Sequence, residues 1–167
     1  MRAIRFTAAL IWLIPICAVS GSLRAQTAGD LPDSSLTPGA VNPDVTAANI
    51  HQTICVPGWT KTIRAPASYT NKLKLEQMRL RGITGQPSDF EEDHLISIEL
   101  AGHPTDPKNL WPQHWAEPWG ARDKDATETA LKRLVCSGKV SLSDAQHAIS
   151  TDWIAAYRKY IGEPSNH

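Results

Sequence analysis

Long hydrophobic runs are scarce in this sequence, and the one that stands out lies at the N-terminus. Residues 8–19 are apolar, but this run is shorter than the roughly 20 residues of a transmembrane helix, and no second run follows. Arg2 and Arg5 precede it, and small residues follow it up to Ala25, a pattern typical of export signals. We therefore expect residues 1–25 to be a signal peptide and the mature protein to be periplasmic or secreted, without stable membrane association. An uncleaved anchor is the alternative.

Cysteine is also rare, and its scarcity excludes one kind of metal site. Cys17 lies in the expected signal, so the mature chain keeps only Cys55 and Cys136. Without a Cys-x-x-Cys pair, a structural zinc is not expected. Two cysteines in an oxidising compartment usually pair, so we predict a Cys55–Cys136 disulfide, with buried free thiols as the alternative. This disulfide would close a loop of about 80 residues, which stabilises a fold by about 4–5 kcal/mol in the chain-entropy treatment.

The sequence has no excess of either charge, with 17 Lys and Arg against 17 Asp and Glu. Loss of Arg2, Arg5 and Arg24 with the signal leaves a small negative excess, which argues against broad electrostatic affinity for DNA. Basic residues are nevertheless concentrated in residues 61–81, next to the acidic residues 89–99. This distribution suits a phosphate backbone, and an ordinary mixed surface is the alternative. The predicted backbone contacts are Lys61, Arg64, Lys72, Lys74, Arg79 and Arg81.

Large apolar residues are nearly absent from residues 26–49, where Pro, Gly, Ser, Thr and Ala dominate. Such a composition cannot bury a core, so we expect a flexible linker there. The remaining length suits one domain, which we place at residues 50–162, with a disordered tail at residues 163–167. Within this domain, residues 50–63 favour an extended segment because β-branched and aromatic residues surround a Pro-Gly pair.

Helical periodicity recurs three times in the expected domain. It predicts helices over residues 68–82, over residues 123–137 and from residue 142 onward. The apolar residues 95–100 predict a short strand that begins at the Asp93-His94 pair. Trp111, Trp115 and Trp119 recur every four residues, but the prolines among them disfavour a helix. We expect their rings to pack a loop against the core rather than to form a stacking platform.

Asp93-His94 and Asn109 combine a carboxylate, an imidazole and a carboxamide around one short loop. An acidic residue can hold a divalent cation against a phosphate, while a neighbouring imidazole deprotonates water. Free imidazole titrates near pH ~6.5, so His94 is the candidate general base and Asp93 the candidate metal ligand. Adjacent strand residues point to opposite faces, so the two serve one site only if the strand ends or twists there.

The stretch from Glu92-Asp93-His94-Leu95-Ile96-Ser97 to Asp106-Pro107-Lys108-Asn109-Leu110 resembles the first strand, loop and second strand of the HNH nuclease superfamily. The resemblance implies an HNH-like ββα-metal core. With the predicted helices and the predicted disulfide, we expect an α+β, mostly helical fold in which helices flank this core. The resemblance also implies that Asn109 is a catalytic residue with two open roles: it bonds the backbone near the histidine, or it ligates the metal.

The resemblance implies one divalent metal ion, held by Asp93, Asn109 and a third ligand for which His114 is the best candidate. Oxygen ligands favour magnesium or manganese, whereas participation of His114 favours zinc or nickel. The third position stays open at this point. The other candidates are Asp123, Asp125, Glu128 and His103.

Two function classes follow from these expectations. The first is an exported, metal-dependent HNH-type endonuclease that hydrolyses DNA or RNA with His94 as general base. The second is a catalytically degenerate HNH scaffold that binds a cell-envelope polymer or protein through its tryptophans and basic helix. A metallopeptidase is not supported, because the sequence lacks a His-Glu-x-x-His helix.

Overall fold

In a computed structural model, the described residues are 31–115 and 119–163. The expected signal peptide and nearly all of the expected tail lie outside these ranges. The helices are α1 (Trp59–Ile63), α2 (Ala67–Arg81), α3 (Ala121–Cys136) and α4 (Leu142–Tyr160), and the strands are β1 (Phe90–His94) and β2 (Leu110–His114). Short 3-10 turns lie at Ile50–Gln52, Pro87–Asp89, Ile98–Leu100 and Pro107–Asn109.

The three predicted helices are present, and their ends follow the local sequence signals. Helix α2 ends at Gly82, whose φ of 65° is the left-handed conformation that favours glycine. Helix α4 begins after Ser141, whose side chain accepts a hydrogen bond from the backbone N–H of Asp144. Asp152 interrupts α4 with non-helical backbone angles, so the helix is kinked there.

Strands β1 and β2 form an antiparallel hairpin in which His94 lies opposite Leu110 and Phe90 lies opposite His114. Cross-strand partners share a face of the sheet, so Asp93 and Trp111 lie on one face and His94 on the other. Helix α2 is tied to the hairpin because the Lys74 ammonium donates to the Phe90 carbonyl at 2.8 Å.

Two sequence-based expectations about secondary structure were wrong. The strand lies at Phe90–His94 rather than at residues 95–100, which instead form a buried bend and a 3-10 turn, because Asn109 binds the backbone of Ile96 there. Residues 50–63 contain a 3-10 turn and helix α1 instead of an extended segment.

The described part of the expected linker, residues 31–49, packs against the rest of the domain. Gly39 N–H donates to the Lys108 carbonyl, Asn42 N–H donates to the Ala101 carbonyl, and Val45 is buried. This segment is therefore packed on the domain and is not a flexible linker. Backbone hydrogen bonds attach it to the domain, although it has few large apolar side chains.

The core lies between α3, α4 and the segment before α1. Its fully buried side chains include Ile54, Leu131, Ile149 and Trp153. The predicted disulfide is present between Cys55 and Cys136, with 5.6 Å between their Cα atoms, and it joins that segment to the end of α3. The α+β class, the predominance of helix and the disulfide are therefore confirmed.

Two of the three spaced tryptophans pack as expected. Trp111 is buried in the hairpin, and the Trp119 ring lies edge-on to Trp153, with 6.2 Å between their centroids. Trp115 is exposed over 39% of its surface. Among the described helices, none is both long and apolar enough to cross a bilayer.

Candidate functional site

His94 ends strand β1 and is held in a single orientation. Its side chain is buried, and Nε2 lies 3.0 Å from the backbone carbonyl of Pro104. Because a carbonyl oxygen only accepts hydrogen bonds, a neutral imidazole in this contact carries its proton on Nε2. Among the described residues, Nδ1 has no hydrogen-bond partner, so its lone pair is available to accept a proton. Burial lowers the pKa of His94, which keeps the ring neutral at pH 7.

Asn109 is fully buried and uses its entire carboxamide on backbone groups. Its Oδ1 accepts from the N–H groups of Ile96 at 3.0 Å and Ala40 at 3.3 Å. Its Nδ2 donates to the carbonyls of Ile96 at 2.9 Å and His103 at 3.0 Å. Of the two roles left open for Asn109, the geometry therefore favours binding the backbone next to His94. It fixes the loop that carries Pro104.

The same loop is closed further by Gly102 and His103. A Cβ atom on Gly102 would lie 1.6 Å from the Ile96 carbonyl oxygen, so only glycine fits this approach of two backbone segments. His103 Nδ1 accepts from the backbone N–H groups of Thr105 and Asp106. His103 therefore stabilises the turn through its Nδ1 atom.

Asp93 points to the other face of β1, where it meets Lys124 of α3. Lys124 is fully buried, and its Nζ lies 2.7 Å from Asp93 Oδ2. The same ammonium donates to the His94 carbonyl at 2.7 Å and to the Glu128 carboxylate. Burial alone lowers the pKa of Lys124, but the two carboxylates outweigh burial and raise it above that of free lysine. Lys124 is therefore protonated.

Further acidic side chains surround this ion-pair cluster. Burial raises the pKa of Glu91 to about 7, and the negative charges of Asp93, Asp125 and Glu128 add to the effect. Burial also raises the pKa of Asp125, again with a contribution from Asp93. This face of the hairpin holds more carboxyl groups than the single ammonium can neutralise.

The predicted metal ligands Asp93, Asn109 and His114 do not come together. His114 lies at the opposite end of the hairpin, where its ring contacts Phe90 with 5.0 Å between centroids. The Asn109 oxygen is committed to backbone N–H groups, and Asp93 faces an ammonium. Across residues 31–115 and 119–163, no group of three or more His, Cys, Asp or Glu side chains is arranged to hold a metal. The predicted set, as placed, does not fit a divalent ion.

The other candidates for the third ligand have different surroundings. Asp123 accepts from the Trp119 backbone N–H at 2.7 Å, at the start of α3. Glu128 lies on the same face of α3 as Lys124 and belongs to the ammonium cluster. Among the alternatives to His114, Glu128 is thus the one joined to Asp93 through a shared partner.

The six predicted backbone-binding cations have different surroundings. Arg64 is exposed and close enough to His94 to help lower its pKa. Lys74 binds the carbonyls of Pro87 and Phe90, and Arg81 interacts with Glu92 and Asp33. The remaining three are exposed: Lys61, Lys72 and Arg79.

Sequence reasoning missed Lys124 and the carbonyl of Pro104. The spacing of Lys124 and Glu128 on a predicted helix was a signal, but such pairs are usually solvated and weak. A carbonyl contact to a histidine carries no sequence signal.

Comparison with protein-family models, curated proteins and solved structures finds no match to this chain.

Proposed function

We propose that this chain is an exported HNH-type endonuclease that hydrolyses phosphodiester bonds of DNA or RNA, with His94 as its general base. The observation that carries the proposal is the neutral His94 imidazole, oriented by the Pro104 carbonyl and with Nδ1 left to accept a proton. A base with these properties is what activation of water requires. The loop held by Asn109 gives the imidazole its rigid support.

In the proposed step, a water molecule transfers a proton to Nδ1 of His94 while its oxygen attacks phosphorus. The bond from phosphorus to the departing oxygen breaks, and that oxygen takes a proton from solvent. The Pro104 carbonyl stabilises the imidazolium that forms, and Arg64 is placed to attract the phosphate. No step is assigned to a metal ion, because Asp93, Asn109 and His114 as placed do not form its site.

The test is cleavage of plasmid DNA and of structured RNA by the full chain after export, in Mg²⁺, in Mn²⁺ and in chelator. Replacing His94 with Ala removes the base, so we expect a rate at least on the order of 100-fold lower under whichever condition supports cleavage. His51→Ala is the matched control, since His51 is exposed. Unchanged cleavage by His94→Ala, with a normal circular dichroism spectrum, would rule out the assigned base.

A second function, a degenerate HNH scaffold that binds a cell-envelope polymer or protein, is favoured by one observation. The Lys124 ammonium fills the space between Asp93 and Glu128 on the face where a metal was expected. This function predicts that the wild-type chain cleaves neither nucleic acid in any of the three conditions. It further predicts that the chain sediments with envelope fractions and that Trp115→Ala, at an exposed ring, weakens this binding.

A further inference from the structure

The surroundings of the Lys124 ammonium are unusual for a lysine. The residue has 0% exposure, although lysine is rarely fully buried unless it is paired. Its Nζ contacts three oxygen atoms that come from two separate elements: a carboxylate of β1, the backbone carbonyl that ends β1, and a carboxylate of α3. The ammonium donates hydrogen bonds to the His94 carbonyl and to Glu128, and it forms an ion pair with Asp93 Oδ2 at 2.7 Å.

A set of oxygens converging on one buried point is the kind of environment that hard divalent cations prefer. Here Asp93 and Glu128 supply two carboxylates, and the His94 carbonyl supplies a third oxygen. Burial raises the pKa of Glu128 to about 7, and the charge of Lys124 counteracts that shift. The +1 charge of the ammonium therefore leaves part of the negative charge of the cluster unbalanced when Glu128 is ionised. The cluster therefore has the geometry and the negative charge of a cation site. The cation that occupies it is the side-chain ammonium of Lys124, a residue of α3.

We propose that the Lys124 ammonium is a built-in cation that occupies this oxygen cluster in place of a divalent metal ion. The cluster then accepts a divalent ion only when the lysine is removed. Because Lys124 is fully buried and its contacts lie within the protein, it acts on the fold and does not touch a substrate. Cation binding by this cluster is independent of any nuclease activity of the chain.

Physical reasoning favours the lysine over a metal in the wild-type chain. A metal ion would have to displace an ammonium held by two carboxylates, and the displaced charge would remain tethered beside the ion. Like charges so close together oppose each other strongly in a site with little water. Removing one partner of the cluster instead leaves two buried carboxylates without a counterion, which is strongly destabilising until another cation enters.

The experiment measures Mn²⁺ binding by electron paramagnetic resonance and by thermal unfolding, with the full exported chain. We compare wild type, Lys124→Ala, and Lys124→Ala combined with Asp93→Asn and Glu128→Gln. In chelator we expect Lys124→Ala to unfold at a lower temperature than wild type. Excess Mn²⁺ should restore it, with one ion bound on the order of tenfold or more tightly than in wild type. The triple variant should show no such response.

Two results would overturn the inference. One is wild-type protein that binds a single Mn²⁺ as tightly as Lys124→Ala and loses it on Asp93→Asn. The other is that Mn²⁺ does not raise the unfolding temperature of the Lys124→Ala protein, or does not restore its fold if the variant is unfolded in chelator. Lys124→Arg offers a check on geometry, since a cation is retained there and Mn²⁺ should still be excluded. Loss of cleavage activity in any variant has no bearing on these outcomes.

Discussion

At the scale of single residues, two neighbouring side chains of β1 show how burial sets charge. His94 and Glu92 lie on the same face of the strand, and both are buried. Burial lowers the pKa of His94 and raises the pKa of Glu92 to about 8, so each is pushed toward its neutral form. His94 has the Pro104 carbonyl as partner, whereas neither carboxylate oxygen of Glu92 has a hydrogen bond within the described chain.

Glu92 therefore gives stability a specific pH dependence. Burial raises its pKa from the ordinary value of 4.5 to about 8 in the fold, and the positive charge of Arg81 only partly offsets this effect. The folded state thus binds a proton that the unfolded state releases, so stability falls as pH rises from about 4.5 to about 8. Glu92→Gln, which is neutral throughout, should be more stable than wild type by on the order of 2 kcal/mol at pH 8 and nearly equal to it at pH 4.

Urea unfolding of wild type and Glu92→Gln across this pH range measures the difference directly. Glu76→Gln is the control, because it makes the same change at an exposed position of α2 and should shift stability little at any pH. A Glu92→Gln protein less stable than wild type at pH 8 would mean that the ionised carboxylate has favourable partners in the fold.

At the scale of elements, the loop between β1 and β2 depends on one side chain. Asn109 makes four hydrogen bonds, to Ile96 twice, to Ala40 and to His103. It thereby holds the loop both to itself and to the segment before α1. The position of Pro104, and with it the orientation of His94, follows from this closure.

Asn109→Ala removes these bonds and leaves buried backbone groups without partners. At about 1 kcal/mol for each typical bond, we expect a loss of about 2–5 kcal/mol in the free energy of unfolding. Urea unfolding measures the loss, and hydrogen exchange should become faster at the amides of Ile96 and Ala40. Asn71→Ala, at an exposed site on α2, is the matched control. Unchanged amide protection in Asn109→Ala would contradict the role given to the carboxamide.

Sequence periodicity predicted the helices that bury one face against the core. It did not predict the strand whose two faces are both partly buried. The period of α4 was readable because Ala145, Ile149 and Trp153 all face the interior. Strand β1 was missed because its sequence, Phe-Glu-Glu-Asp-His, is charged and yet partly buried on both faces. Those charges are tolerated through the Lys124 cluster and through shifted pKa values, which depend on α3 approaching the hairpin.

The sequence predicted the loop of the candidate site but not the surroundings of its side chains. The proximity of Asp93, His94 and Asn109 in sequence indicated one loop, and the structure builds that loop with Asn109 inside it. The metal ligands follow from the family resemblance and from residue types, neither of which shows that His114 lies at the far end of β2. Lys124 becomes visible only through a contact between residues that are 30 positions apart.

At the scale of the whole molecule, the disulfide joins two parts of the chain that also share the hydrophobic core. Cys55 lies in the irregular segment before α1, and Cys136 ends α3, at a sequence separation of 81. The helices α3 and α4 pack on each other around Leu131 and Ile149, whereas the segment from residue 31 to residue 58 has only short turns of its own. When the protein unfolds, the disulfide still closes a long loop and so restricts the conformations of the unfolded chain.

We predict that replacing Cys55 and Cys136 together with Ala lowers the free energy of unfolding by about 4 kcal/mol, because a cross-link over a long loop mainly restricts the unfolded state. Urea unfolding of the exported chain, with and without reductant, measures the effect. The double variant should match the reduced wild type and should not respond to reductant itself. Intact mass before and after reduction and alkylation verifies that the wild type carries the bond. Equal stability of oxidised and reduced wild type would show that native contacts alone hold the segment before α1 in place.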